Sequence, residues 1–259
     1  MDYSFFQQPP PIVSCIIFLM ILFFNWLGYW LKKKQFQKNP LEVPGKLGSV
    51  EGTMLSIMAL LLGFTFSVAV TKFETRRMLV VEEANTIVTA VLRCDLYPDS
   101  IRNLIRADFK DYVETRVDYY LARNDEDKII RELEKSRSIT ARIWNRIMFV
   151  SSNPEMRLRS QQMIPVINNV MEIVTKRDAS RTAKVPRLVL WTLLILVLTS
   201  ALLLGNDYNG TKKSKLLTVG YAILMTLTLN LIIELNNPRQ GFITLDAEEK
   251  KITELRDLF

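Results

Sequence analysis

The chain contains no histidine. That removes Ser-His-Asp and Cys-His catalysis, and the common histidine metal sites, from anything it does alone. Cysteine is almost as scarce, with Cys15 and Cys94 far apart in sequence. Two isolated thiols make neither a metal-ligand cluster nor a disulfide framework. No glycine-rich phosphate loop occurs. Pro44-Gly45-Lys46 lacks the upstream glycine spacing, and the Ser/Thr after the lysine, that such a loop needs. No nucleophile–base pair stands out. The expectation is a non-enzyme without metal or cofactor. A block of one charge sign is missing too. Net charge is +7, yet in residues 73–186 twenty Lys/Arg are interleaved with seventeen Asp/Glu. That is the mixture of a solvated, salt-bridged helix face, not of a nucleic-acid footprint.

Long apolar runs are plentiful. Ile12–Leu31, Thr53–Thr71, Leu188–Asn206 and Leu216–Ile233 are nearly free of charge and 18 to 20 residues long. About 20 helical residues cross a bilayer core of roughly 30 Å. The first run has nothing basic before it and no small-residue cleavage site after it, so it reads as a retained helix and not a signal peptide. Trp26, Tyr29 and Trp30, then Lys32–Lys34, mark a headgroup boundary at its end. The expected class is all-α: four transmembrane helices, the second extending into a soluble helical bundle. The divisions are a first hairpin at 1–72 (spans 12–31 and 53–72), the bundle at 73–186, a second hairpin at 187–235 (spans 188–206 and 216–234), and an amphipathic tail at 236–259.

The second span organises the rest. From Glu51 to Tyr97 there is no proline, and none of the charged residues after Lys72 breaks the helical repeat of Val80, Ala84, Ile87, Val88, Val91 and Leu92. A rod of roughly 70 Å, begun in lipid and ended in water, is expected. Ala59, Gly63 and Ser67 lie four apart, a stripe that lets helix backbones approach closely. Beside it fall Leu60, Phe64 and Val68, an apolar stripe able to act as a dewetting constriction if copies gather about an axis. Glu82 and Glu83 are neighbours and point about 100° apart, so a structural ion pair or inter-helix hydrogen bond is expected, not a converged acid–base pair. Asn25 is expected to make an inter-helix hydrogen bond, with a pore-facing amide as the alternative. Glu234 is placed at the membrane interface; burial there would mark function.

Pro98 is expected to end the rod. Asp99 or Ser100, Asn124–Asp127, and Asn153 before Pro154 read as caps of three further helices. Core candidates in the bundle are Leu104, Ile105, Phe109, Tyr112, Leu133, Ile139, Ile143, Trp144, Ile147, Ile164, Ile167, Val170, Ile173 and Val174.

Glu83-Ala84-Asn85-Thr86-Ile87 on the second helix, Asp95-Leu96-Tyr97-Pro98 after it, and Asn237-Pro238-Arg239-Gln240-Gly241 after the last span form a recognisable order. It resembles the bestrophin-like domain family of bacterial membrane proteins over about Leu47 to Leu245. The resemblance implies distant kinship with bestrophins, pentameric anion channels whose second helix lines the pore through an apolar neck. Carried over, Leu60, Phe64 and Val68 become neck candidates. The acidic cluster of a bestrophin calcium clasp is not evident, so calcium gating is not expected. The implied partners are the lipid bilayer, other copies of the chain, and small inorganic anions. The alternative is a non-conducting scaffold or sensor whose bundle binds a partner. Basic residues flanking the spans put the bundle and both termini in the cytoplasm of a bacterial cell, with the spans in its inner membrane.

Overall fold

The structure is a computed structural model that describes residues 10–38, 48–206, 215–238 and 241–259. Among them are eight α-helices and no strand: α1 (Pro10–Lys38), α2 (Gly48–Arg93), α3 (Asp99–Leu121), α4 (Glu126–Ser151), α5 (Arg157–Thr182), α6 (Arg187–Asn206), α7 (Lys215–Asn236) and α8 (Asp246–Glu254). The all-α class with four membrane-length helices is observed. The tail before Pro10, most of the first connector, the hairpin turn at 207–214 and the Arg239-Gln240 pair lie outside the described residues.

The chain forms two compact units. One comprises 1–72 and 184–242, the other 73–183 and 243–259. In the first, α1 packs on both α6 and α7. Two glycines set the α1–α6 contact. A Cβ on Gly28 would stand 2.0 Å from the Leu202 carbonyl oxygen, and one on Gly205 would stand 2.1 Å from that of Asn25. The two backbones therefore touch with no side chain between them, the close approach that small residues permit in lipid. Beside this contact Asn25 is buried and donates from Nδ2 to the Ala201 carbonyl at 3.1 Å. The inter-helix reading of Asn25 holds. α2 enters the unit through Met58, Thr65 and Ala69, all buried, with the Ser200 hydroxyl of α6 donating to Met58 Sδ at 3.3 Å.

α2 runs unbroken for 46 residues, or about 69 Å at ~1.5 Å per residue. It passes Lys72 without interruption, ends at Arg93, and is followed by a 3₁₀ turn, Cys94–Leu96, ahead of Pro98.

In the second unit α3 packs on α4 and α8, and α4 on α5. Asp125 caps α4 by accepting from the Lys128 amide at 2.9 Å, and Asn153 accepts from the Glu155 amide at 3.0 Å in the turn that leads into α5. The α3 cap differs from expectation: Pro98 holds the cap position with no side-chain hydrogen bond, and Asp99 is already helical. The core takes in most of the expected positions, including Ile105, Phe109, Tyr112, Ile143 and Ile167. Leu104 is a correction, 52% exposed, and Leu92 of the α2 repeat is 58% exposed. Each neighbours a residue that takes the inward position, Ile105 or Val91, and a one-residue step turns a side chain about 100° around the helix. Arg76 ties α2 to the end of α5. Its Nε and Nη2 donate to the Ser180 and Ala183 carbonyls, both at 3.1 Å, answering acceptors that a helix C-terminus leaves open.

Gly28→Ala is expected to destabilise the protein by about 1–3 kcal/mol, the usual overpacking cost. Gly63→Ala, where nothing lies within 4 Å, is expected to stay within about 0.5 kcal/mol of the parent. Unfolding of the two variants in mixed micelles measures the difference.

Candidate functional site

The membrane half of α2 is the most open of the four spans. It buries 17% of its apolar window, against 28% to 39% in the others. Leu60, Phe64 and Val68 lie on one stripe, 59%, 63% and 44% exposed. Ala59, Gly63 and Ser67, the small residues beside them, are also exposed within the chain.

About three turns into the second unit the same helix changes character. Glu83 is fully buried, and so is Arg116 of α3. Arg116 meets the carboxylate side-on, Nε to Oε1 at 2.5 Å and Nη2 to Oε2 at 3.4 Å. The Tyr120 hydroxyl donates to Oε2 at 2.7 Å, and Arg177 Nη1 of α5 donates to the same oxygen. Each guanidinium also stacks on a ring, Arg116 over Tyr119 at 4.3 Å and Arg177 over Tyr120 at 4.6 Å. Burial pushes the Glu83 carboxyl up, but the combined pull of Arg116 and then Arg177, with their hydrogen bonds, holds it below the usual carboxylate range. It is therefore ionised at neutral pH. The expected structural role for the Glu82–Glu83 pair is found in Glu83 alone; Glu82 is exposed.

The three residues Glu83-Ala84-Asn85 divide between two environments. Glu83 and Ala84 face the core. Asn85 lines an open groove of about 540 Å³ with Glu74, Arg77 and Glu82 of α2, Asn169 of α5, and Glu248 and Lys251 of α8. Arg77 Nε donates to Glu248 Oε1 across it at 2.6 Å.

In the membrane unit Glu234 is buried within the protein, 3% exposed near the end of α7. Oε1 accepts from Asn230 Nδ2 at 2.8 Å, and Oε2 from the Phe242 amide at 3.0 Å. Ser14 of α1 donates to Asn230 Oδ1 at 2.6 Å, so a polar chain links α1, α7 and the segment after α7. Gly241 makes the last link possible. A Cβ there would fall 2.8–2.9 Å from the Glu234 side chain.

A family model for the bestrophin-like domain matches residues 15–249. The chain belongs to the bestrophin-like family. Among solved structures it is similar to a bacterial bestrophin homolog from Klebsiella pneumoniae, at 14% identity and a TM-score of 0.70, with 94% of this chain and 97% of that one covered. Two point variants of that homolog align at 14% identity as well, one with a TM-score of 0.72 over 94% and 97% of the chains, the other 0.70 over 95% and 98%. No curated protein sequence matches.

In this bestrophin-like chain, the Glu on the second helix and the Gly after the last span are both explained by packing. One is the acceptor for two buried arginines; the other admits a backbone amide to a buried acid. Arg116 is absent from the residues singled out in the sequence, and Arg177 entered there only among the basic residues that flank the spans. Their signal was present: each sits in the apolar stripe of its helix, Arg116 in line with Phe109, Tyr112 and Tyr120, and Arg177 with Val170, Ile173 and Val174.

Glu83→Gln is expected to cost about 3–5 kcal/mol, because it leaves two buried cations without their counter-ion. The pH dependence follows from the lowered pKa. The stabilisation is complete above the ordinary Glu value of about 4.3 and is lost as pH falls below it. Denaturant unfolding of parent and variant should therefore differ by a constant amount at neutral pH and converge in acid. Gly241→Ala is expected to lower stability by about 1–3 kcal/mol, the cost of unmaking the buried Glu234–Phe242 bond, read by the same unfolding measurement.

Proposed function

We propose that the protein is a homo-oligomeric ion channel, pentameric as bestrophins are, that conducts small inorganic anions along an axis lined by α2. The observation that carries this reading is the open apolar stripe Leu60, Phe64 and Val68 on the least buried span. Beside it, Ala59, Gly63 and Ser67 give copies of α2 a surface for close approach. Three large apolar side chains a turn apart make a constriction that gates by dewetting. A net charge of +7 favours anions over cations near the conduit. The basic residues flanking the spans support a cytoplasmic bundle and cytoplasmic termini in a bacterial inner membrane.

The groove beside Asn85 favours a second reading, a non-conducting scaffold whose bundle receives a partner against α2, α5 and α8. The two readings separate on flux.

Protein reconstituted in liposomes is expected to release halide faster than empty vesicles. Phe64→Ala, which widens the constriction, is expected to raise that rate several-fold. Gly63→Leu is expected to reduce the subunit number seen by native mass while helicity is kept. Intact ring oligomers with no halide release above empty vesicles would refute conduction and leave the scaffold.

A further inference from the structure

The cluster around Glu83 is unbalanced. Two buried guanidiniums face one carboxylate, leaving one positive charge in excess among these groups. Arginine does not shed its proton to relieve this. Donors are unbalanced as well. Arg116 Nη1 and the Tyr112 hydroxyl are both fully buried and without a hydrogen-bond partner among the described residues.

These two donors belong together. Tyr112 and Arg116 are four residues apart on α3, on one face of the helix. A long helical side chain leans back over the turn before its own Cα, which brings the Arg116 head towards Tyr112. Arg116 spends Nε and Nη2 on Glu83, so Nη1 is the nitrogen left outside that pair. Burial raises the pKa of the Tyr112 hydroxyl by more than the Arg116 cation lowers it, so the hydroxyl stays protonated and able to donate.

We propose that the core of the helical bundle holds a small monovalent anion of halide size, bound by Arg116 Nη1 and the Tyr112 hydroxyl. The anion supplies the missing negative charge and the missing acceptor in one step, without a further side chain. Water could answer the donors but not the charge. Because buried unpaired charge is costly, an ion is the better complement. The site is separate from the conduit proposed above, since none of its residues lies in a span. Its role is to complete the anchorage of α2 against α3 and α5.

The test uses the full chain in detergent. Thermal unfolding is followed in chloride or bromide and in gluconate, too large for the site, at equal ionic strength. At a halide concentration about tenfold above the dissociation constant, Tm is expected to be about 4 °C higher than in gluconate. Tyr112→Phe is expected to abolish most of that halide increment. In gluconate the variant should match the parent or exceed it, since it loses only an unanswered hydroxyl. Crystals grown in bromide are expected to show anomalous density beside Arg116 Nη1. Equal Tm in halide and gluconate, a halide increment untouched by Tyr112→Phe, or ordinary water density without anomalous signal would each overturn the proposal. The Tyr112→Phe comparison also separates this site from halide bound elsewhere, including in a conduit.

Discussion

A carboxylate inside a helical bundle is costly to dehydrate, so the place of Glu83 is set by the two guanidiniums that reach it. Arg116 comes from α3 and Arg177 from α5, and the acceptor comes from α2. Three helices are thereby held at one point, with Tyr119 and Tyr120 as the rings on which the cations rest. Apolar residues of the same volume would pack these helices as well, and buried ion pairs are often no more stabilising than such replacements. What the ions add is register. Val80, Ile87 and Val91 tolerate a small rotation of α2 against its neighbours; a side-on arginine–carboxylate pair does not.

Much of this was legible in the residues, and the limits of the legibility are physical. Four spans, the unbroken second helix and the helical bundle follow from run length and period, which report burial directly. The positions of Leu104 and Leu92 do not, because neighbouring apolar residues compete for one inward place and period alone does not choose between them. The small-residue stripe on α2 drew attention, whereas the backbone contact inside the chain uses Gly28 and Gly205. Those glycines lie on different helices, and only the packed structure brings them together. Arg177 was read as one of a basic run flanking the membrane. Its neighbours Lys176 and Arg181 do face outward or pair at the surface, but the 3.6-residue period turns Arg177 to the core.

The charged residues in apolar stripes carry a general lesson for this fold. Glu83, Arg116 and Arg177 each interrupt a hydrophobic face that would otherwise be continuous. One acid and two bases on three separate stripes already imply that the stripes meet, since none of the three ions is tolerable alone in a core. Glu234 follows the same logic with a different answer. Amide donors from Asn230 and Phe242 reach its oxygens, and Gly241 clears the approach.

The contact at Gly28 and Gly205 has a mechanical meaning. Two helices separated by side chains slide by rotamer changes; two helices in backbone contact have no such freedom. α1 and α6 therefore act as a single welded plate in the membrane. Any rearrangement of the spans must leave that plate rigid.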